Sequence, residues 1–197
     1  CGRGDINTYA VFAENFRNIL SKSGRVGVIL PTGIATDDTT KDYFADIIEK
    51  ESLVSLFDFE NREGIFPNVH RSYKFCLFTL TGVSQKCNSA DLVFYLLNLS
   101  QLRDTNKHFT LSREEVRLLN PNTKNCAIFR NKTDARIVKK IYNQIPVLSI
   151  ENSNKNYWKV RFLRMLDMAT DSSSFKSLSD FSSESIQPNK YNFSFES

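Results

Sequence analysis

Few residues in this chain have the type and spacing that chemistry needs. The two histidines, His70 and His108, are far apart, and neither stands in a zinc-ligand spacing. There is no Gly-x-Ser-x-Gly elbow, and no glycine-rich loop follows a strand and opens a helix. The adjacent Asp37 and Asp38, beside Thr36, Thr39 and Thr40, have the look of a metal-binding acid pair. A helix N-terminus attracts the same residues for capping and for its dipole. The GRGD at residues 2–5 resembles a cell-adhesion context, but so short a string recurs by chance. The stretch with most chemical content is IFPNVHRSYK, residues 65–74. It sets Phe66 at the lip of a proline loop, followed by the bases His70, Arg71 and Lys74. An aromatic at the lip of a loop beside a row of bases raises the question of its role, and one answer is that Phe66 merely pins the loop to the core.

Those residues must be held by a fold, and 197 residues with 41% hydrophobic and 12% aromatic content are enough for one sizeable core, or one core plus an appendage. No apolar run approaches the roughly 20 residues of a membrane helix, and the first residues lack the pattern of a signal peptide. A cytoplasmic chain with no membrane partner is therefore expected, with Cys1, Cys76, Cys87 and Cys126 reduced and no structural zinc. The formal charge of +4 is small, but its signs segregate. Residues 37–63 carry nine acids against three bases, whereas 124–142 carry Lys124, Arg130, Lys132, Arg136, Lys139 and Lys140 against Asp134 alone. That basic segment reads either as a solvated helix face or as a surface for phosphates.

Periodicity places the elements. Tyr9, Ala13, Phe16 and Leu20 share a helical face, with Asp5 or Asn7 available as cap and Gly24 as terminator. The run Val26–Leu30, closed by Pro31 and Gly33, reads as a strand buried on both faces. Asp37 or Asp38 could cap a second helix with a stripe of Tyr43, Phe44, Ile47 and Ile48, and LVSLFDF follows as another buried strand. YKFCLFTL follows too soon for a crossover helix, so it should pair antiparallel with the preceding strand. ADLVFYLLNL could be a further strand or a short helix, since periodicity does not decide so short an apolar run, and strand is the preferred reading. Ser112 and Glu115 form a capping box for a helix ending at Asn120 before Pro121. Another helix follows, with Ala135, Val138, Ile141 and Tyr142 inward and its lysines outward. From Trp158, WKVRFLRMLDM alternates like a strand. From Ser172, ten of the last 26 residues are serine with scattered Phe175, Phe181, Phe193 and Phe195, which predicts loosely ordered segments that pack against something else.

Three strings in order, GRGDINTYAVF, SGRVGVILPTGIATDD and LVSLFDFENREGIFPNVHRSYKFCLFTLTG, resemble the second half of the catalytic domain of adenine-N6 DNA methyltransferases of the restriction-modification and phage-defence type. LNPNTKNCAIFRNKTDARIVKKIY and WKVRFLRMLDMATDSSSF look like the connecting region that follows in that group. The resemblance implies an α/β fold: a partial Rossmann-like, S-adenosylmethionine-dependent methyltransferase sheet ending in an antiparallel hairpin, then an α+β connecting region. Residues 1–82 would be the catalytic half, 83–171 the connection and 172–197 the tail. In that family a glycine motif binds S-adenosylmethionine and an Asn-Pro-Pro-aromatic motif holds the flipped adenine. Neither is in this chain, and Cys1 stands about where the motif's aromatic would be. The chain is then either a fragment or a degenerate copy, inactive on its own.

By the same resemblance Phe66 would stack on the flipped base, while His70, Arg71, Lys74, Lys132, Arg136, Lys139 and Lys140 would contact DNA. Asn7, Tyr9 and Phe12 would wall the cofactor pocket, and Thr32 and Gly33 would lie in a loop near the nucleotide. The implied reaction of the parent is direct methyl transfer from S-adenosylmethionine to adenine N6 in duplex DNA, with no covalent intermediate and no required metal. Double-stranded DNA and the missing first half of the protein are the expected partners, with self-association a further possibility. The rival expectation is a non-catalytic module that grips DNA or a protein.

Overall fold

The computed structural model describes residues 7–153, 156–161, 163–177, 186–188 and 193–195. The chain forms two compact units, Cys1–Trp158 and Lys159–Ser197. The first is a mixed α/β unit built on a five-stranded sheet of order β1-β3-β2-β4-β5, with β1 (Arg25–Pro31), β2 (Leu53–Glu60), β3 (Lys74–Thr81), β4 (Ser89–Leu96) and β5 (Phe109–Ser112). β3 lies between β1 and β2, antiparallel to both, as its short connection to β2 requires. β4 joins β2 in parallel and β5 returns antiparallel to β4. Residues on both sides of position 82 thus share one sheet.

The first helix, α1 (Thr8–Asn18), starts where expected, with Asn7 Oδ1 accepting from Tyr9 N at 3.4 Å. It stops at Asn18, with Ile19 as C-cap; Gly24 instead belongs to the turn that leads into β1. The expectation of a β1 buried on both faces is corrected: among Arg25–Pro31 only Leu30 is buried, because β1 is an outer strand. An unbroken apolar run does not by itself distinguish a central strand from an edge. The aspartates do not cap the next helix either. A short helix α2 (Gly33–Thr36) and a 3-10 turn (Asp38–Thr40) intervene, and Thr40 Oγ1 donates to the Gly33 carbonyl at 2.7 Å. The helix α3 (Lys41–Glu49) then buries Phe44, Ile47 and Ile48 as its stripe requires.

The capping box of α4 (Arg113–Leu119) is present in both directions, between the Ser112 hydroxyl and the Glu115 amide and between the Glu115 carboxylate and the Ser112 amide. In α5 (Lys132–Gln144) Ala135 is buried, and Val138 and Tyr142 pack against the core. Ile141 does not: it is 45% exposed. All five helices contribute to one core, with Leu30, Leu56, Cys76, Phe78 and Leu80 of the sheet. A second cluster of Phe59, Val93 and Leu96 is covered by the loop residues Ile65 and Leu102. Helices therefore cover one face of the sheet and loops the other. Burial raises the pKa of the Cys76 thiol, and that of Cys126 to about 12, so both are small buried side chains rather than nucleophiles.

In the second unit no strand forms over the described residues from Lys159 to Met168, against expectation. Leu163, Met165, Leu166 and Met168 are all at least 68% exposed, so neither alternating face is buried and nothing selects a strand. Arg164 and the Asp167 amide instead converge on the Asp171 carboxylate, each at 2.8–2.9 Å. Ile186–Pro188 (β6) pairs antiparallel with Phe193–Phe195 (β7). Of the rest of the expected Ser/Phe-rich tail, Ser172–Ser174 form a 3-10 turn and Phe175 is 41% exposed, while 178–185, Phe181 included, 189–192 and 196–197 lie outside the described residues. No helix among the described residues is long and apolar enough to cross a membrane.

Candidate functional site

Because β3 is antiparallel to both its neighbours, β1, β2 and β4 all run in one direction and end at one edge of the sheet. Side chains and loops at the carboxyl ends of such strands are where α/β sheets hold ligands. A cleft of about 430 Å³ lies there, lined by Asn7, Tyr9, Pro31, Thr32, Gly33, Thr36, Asp37, Asp58, Tyr73, Lys74, Tyr95 and Ile128. Its volume is in the range that takes a small molecule. Five of the residues singled out in the sequence meet here: Asn7 and Tyr9 from the start of α1, Thr32 and Gly33 from the turn after β1, and Lys74 from the first position of β3.

The centre of the cleft is one that sequence reasoning missed. Asp58, near the end of β2, is 1% exposed. Its Oδ1 accepts from the Thr32 hydroxyl at 2.5 Å and its Oδ2 accepts from the Tyr95 amide at 3.1 Å. Burial raises its pKa above the ordinary carboxylate range, against the opposing effect of those two donors and of Lys74. Tyr95 sits in left-handed backbone at φ 62°, next to the register shift between β2 and β4. A bulge leaves a residue unpaired in the ladder, and here the Asp58 carboxylate takes the amide that the ladder does not. The Lys74 ammonium lies 5.0 Å from the centre of the Tyr95 ring and 3.1 Å from Glu60. Burial, then the Asp37 carboxylate, raise the pKa of Tyr9, so its hydroxyl keeps its proton. The cleft therefore offers three tyrosine rings, a neutral phenol donor, two acids and one cation, a set suited to a polar heterocycle. The acid inside the apolar run LVSLFDF was the available sequence signal, since a buried carboxylate demands partners.

Other candidates lie elsewhere. Phe12 is 57% exposed, outside the cleft, with its ring stacked on Phe16. Phe66 rests edge-on against Phe75 at 4.8 Å, and its amide and carbonyl are both held by the Asn61 side chain. His70 is paired with the Ser72 hydroxyl at 2.7 Å. Arg71 donates to the Arg62 carbonyl and lies over Gly64, whose φ of 74° and close guanidinium leave no room for a side chain. None of these four lines the cleft.

Lys132, Arg136 and Lys139 share a second cleft of about 380 Å³ with Asp91, Thr105, His108, Phe109, Thr110 and Ala135, while Lys140 is exposed on the same helix. Lys139 is tied to Glu115 at 2.8 Å and donates to the Thr110 carbonyl. His108 faces acceptors on both ring nitrogens, the Leu102 carbonyl at 2.8 Å from Nε2 and the Asp91 carboxylate at 2.9 Å from Nδ1. Burial opposes its charge, but those two acceptors outweigh it and raise its pKa above the ordinary 6.5. A group with a raised folded-state pKa gives stability that is fully present below its unfolded value and is lost as pH rises through the folded one. The melting temperature of the chain should therefore fall more steeply than that of His108→Gln as pH rises above the ordinary imidazole value of about 6.5. Equal slopes would mean that His108 is not the doubly donating imidazolium this geometry calls for.

No protein-family model matches the chain, and no curated protein matches it.

Proposed function

We propose that this chain is the second half of the catalytic domain of an adenine-N6 DNA methyltransferase of the restriction-modification type, with a partial Rossmann-like sheet. The observation that carries the reading is the cleft at the common carboxyl ends of β1, β2 and β4, where Asn7, Tyr9, Thr32 and Gly33 converge. The donors and rings in it fit a nucleoside. Asn7 and Tyr9 would hold S-adenosylmethionine, which supplies the methyl group, while Phe12 lies outside the cleft and does not fit that role. The Tyr95 ring, fixed by Asp58 and Lys74, would wall the same space. The chain's own residues bind and orient; the groups that act on the adenine amino proton belong to the preceding half. The basic face of α5 would meet phosphates and position the duplex.

The test is to read the coding DNA upstream, express the chain joined to what it encodes, and supply S-adenosylmethionine and duplex DNA. N6-methyladenine in the digested DNA supports the reading. In that protein Phe66→Ala should slow methylation while the fold is kept; unchanged kinetics would leave Phe66 as a packing residue on Phe75 alone. A second reading, a non-catalytic DNA-binding module, is favoured by the three bases along the α5 cleft. It predicts no methyl transfer, together with DNA binding by the chain that weakens steeply as salt rises.

A further inference from the structure

Within the basic segment 124–142, Lys124 is paired with Glu49 at 3.4 Å and Lys139 with Glu115 at 2.8 Å. Lys132 and Arg136 lie between them in sequence and, among the described residues, neither has a carboxylate within ion-pair distance. Both line the cleft of about 380 Å³ between α5 and the chain entering β5. That cleft is at the end of the sheet opposite β1, and all its lining comes from residues 91–139.

The local structure shapes this space. Lys132, Arg136 and Lys139, at spacings of four and three, share one face of α5. The buried Ala135 and Phe109 give the cleft an apolar floor, and Ala135 is too small to fill it. Thr105 and Thr110 bring hydroxyls from the loop before β5 and from β5 itself. The Lys132 amide donates to the Asn106 carbonyl at 2.8 Å, which ties the start of α5 to that loop. Asp91 is the one acid in the lining, and His108 Nδ1 takes it at 2.9 Å. Asp134, in the first turn of α5, is engaged with the Asn131 side chain and does not line the cleft. Two cations are therefore left over, beside two hydroxyls.

We propose that this cleft binds a phosphate monoester. A terminal phosphate carries about −1.5 to −2 charges at neutral pH and presents three acceptor oxygens, whereas each diester of a nucleic-acid backbone carries one charge. Two uncompensated cations match the monoester. The Arg136 guanidinium takes two oxygens in its fork, Lys132 serves the third as a point charge, and the threonine hydroxyls donate to the same oxygens. A flat basic face would serve a backbone equally well, but a concave site with its excess charge at one point suits a group that ends. The same group arrives on a nucleoside monophosphate or at the 5′ end of a nucleic-acid strand. The assignment rests on this cleft alone and stands whether or not the parent methylates adenine.

Titration calorimetry of the full chain at low salt, with inorganic phosphate and then with adenosine 5′-monophosphate, tests this. Saturable binding at one site is expected. Lys132→Glu and Arg136→Glu should each weaken it by roughly tenfold or more, with melting unchanged because both side chains are exposed. Lys140→Glu, on the same helix but outside the cleft lining, should change it by no more than about twofold. Competition by oligonucleotides ending in a 5′-phosphate or a 5′-hydroxyl identifies the source of the group. Displacement of inorganic phosphate by the phosphorylated strand alone assigns the cleft to strand ends, and displacement by the mononucleotide but by neither strand assigns it to a small molecule. Absence of saturable binding, an equal loss in Lys140→Glu, or equal displacement by both strands overturns the proposal; the last of these leaves α5 as a face for the duplex backbone.

Discussion

Asn61→Ala should lose about 3 kcal/mol of stability and loosen the whole of residues 61–73. Asn61 is fully buried, and its side chain makes three hydrogen bonds across the loop: Nδ2 donates to the Phe66 carbonyl at 3.0 Å and to the Val69 carbonyl at 2.8 Å, and Oδ1 accepts from the Phe66 amide at 2.9 Å. Its own amide donates to the Tyr73 carbonyl at 2.9 Å, closing the loop at its far end. The Phe66 amide and the Val69 carbonyl have the Asn61 side chain as their partner, while the Phe66 carbonyl also accepts from the Val69 amide at 3.1 Å. Truncation removes the partner of the first two and unties the buried position 61 from the loop, the costly half of the hydrogen-bond balance. Denaturant unfolding should show the loss with an unchanged slope, and amide exchange should quicken at Phe66 and Tyr73 while the β2 and β3 amides stay protected. If exchange quickened throughout the sheet instead, the loop would be part of the fold's core rather than a unit held by one amide. The consequence reaches the cleft, because Tyr73 and Lys74 enter it directly from this loop.

Elements with a strong local signal were legible in the sequence, and those fixed by neighbours were not. The apolar stripe of α3 and the reciprocal Ser112–Glu115 cap are encoded within a few residues, and both stand in the structure. The antiparallel turn from β2 to β3 was legible from length alone. What β1 pairs with is a property of the sheet, and VILP reads the same at an edge as in the middle. WKVRFLRMLDM shows the converse failure: alternation specifies a strand only where one face finds a surface to bury against. At the cleft, Asn7, Tyr9, Thr32 and Gly33 were within reach only through the resemblance of the segments that carry them. Tyr95 was not, since its position depends on a register shift between β2 and β4 that no periodicity announces. The bases of loop 65–74 looked like one phosphate-facing row, yet Arg71 is engaged with a backbone carbonyl and Lys74 with Glu60 and Tyr95. Spacing gave their proximity and not their partners.

Asp58→Ala should cost about 3 kcal/mol, whereas Asp58→Asn should cost about 1 kcal/mol or less, and the difference identifies what this carboxylate does. In the alanine variant the Tyr95 amide and the Thr32 hydroxyl are both left buried without an acceptor, and nothing repays the left-handed φ of 62° at Tyr95. Asparagine can keep both contacts. Its carbonyl oxygen accepts from Tyr95, and its amide donates to a Thr32 hydroxyl that has turned to accept. The two variants also differ from the wild type in pH dependence. Burial raises the pKa of Asp58, so the folded state holds its proton to higher pH than the unfolded state does. The stability this group contributes is fully present below the unfolded carboxylate value and is lost as pH rises through the folded one. Neither variant has that slope. Urea unfolding from about pH 4 upward should therefore show the asparagine variant gaining on the wild type as pH rises, and the alanine variant staying well below asparagine at every pH. Parallel curves for wild type and asparagine would mean that Asp58 ionises in the folded chain as freely as in the unfolded one. Equal stability of the two variants would mean that Tyr95 keeps its conformation without Asp58, and the cleft would then owe its shape to the Lys74–Tyr95 contact rather than to the buried acid beneath it.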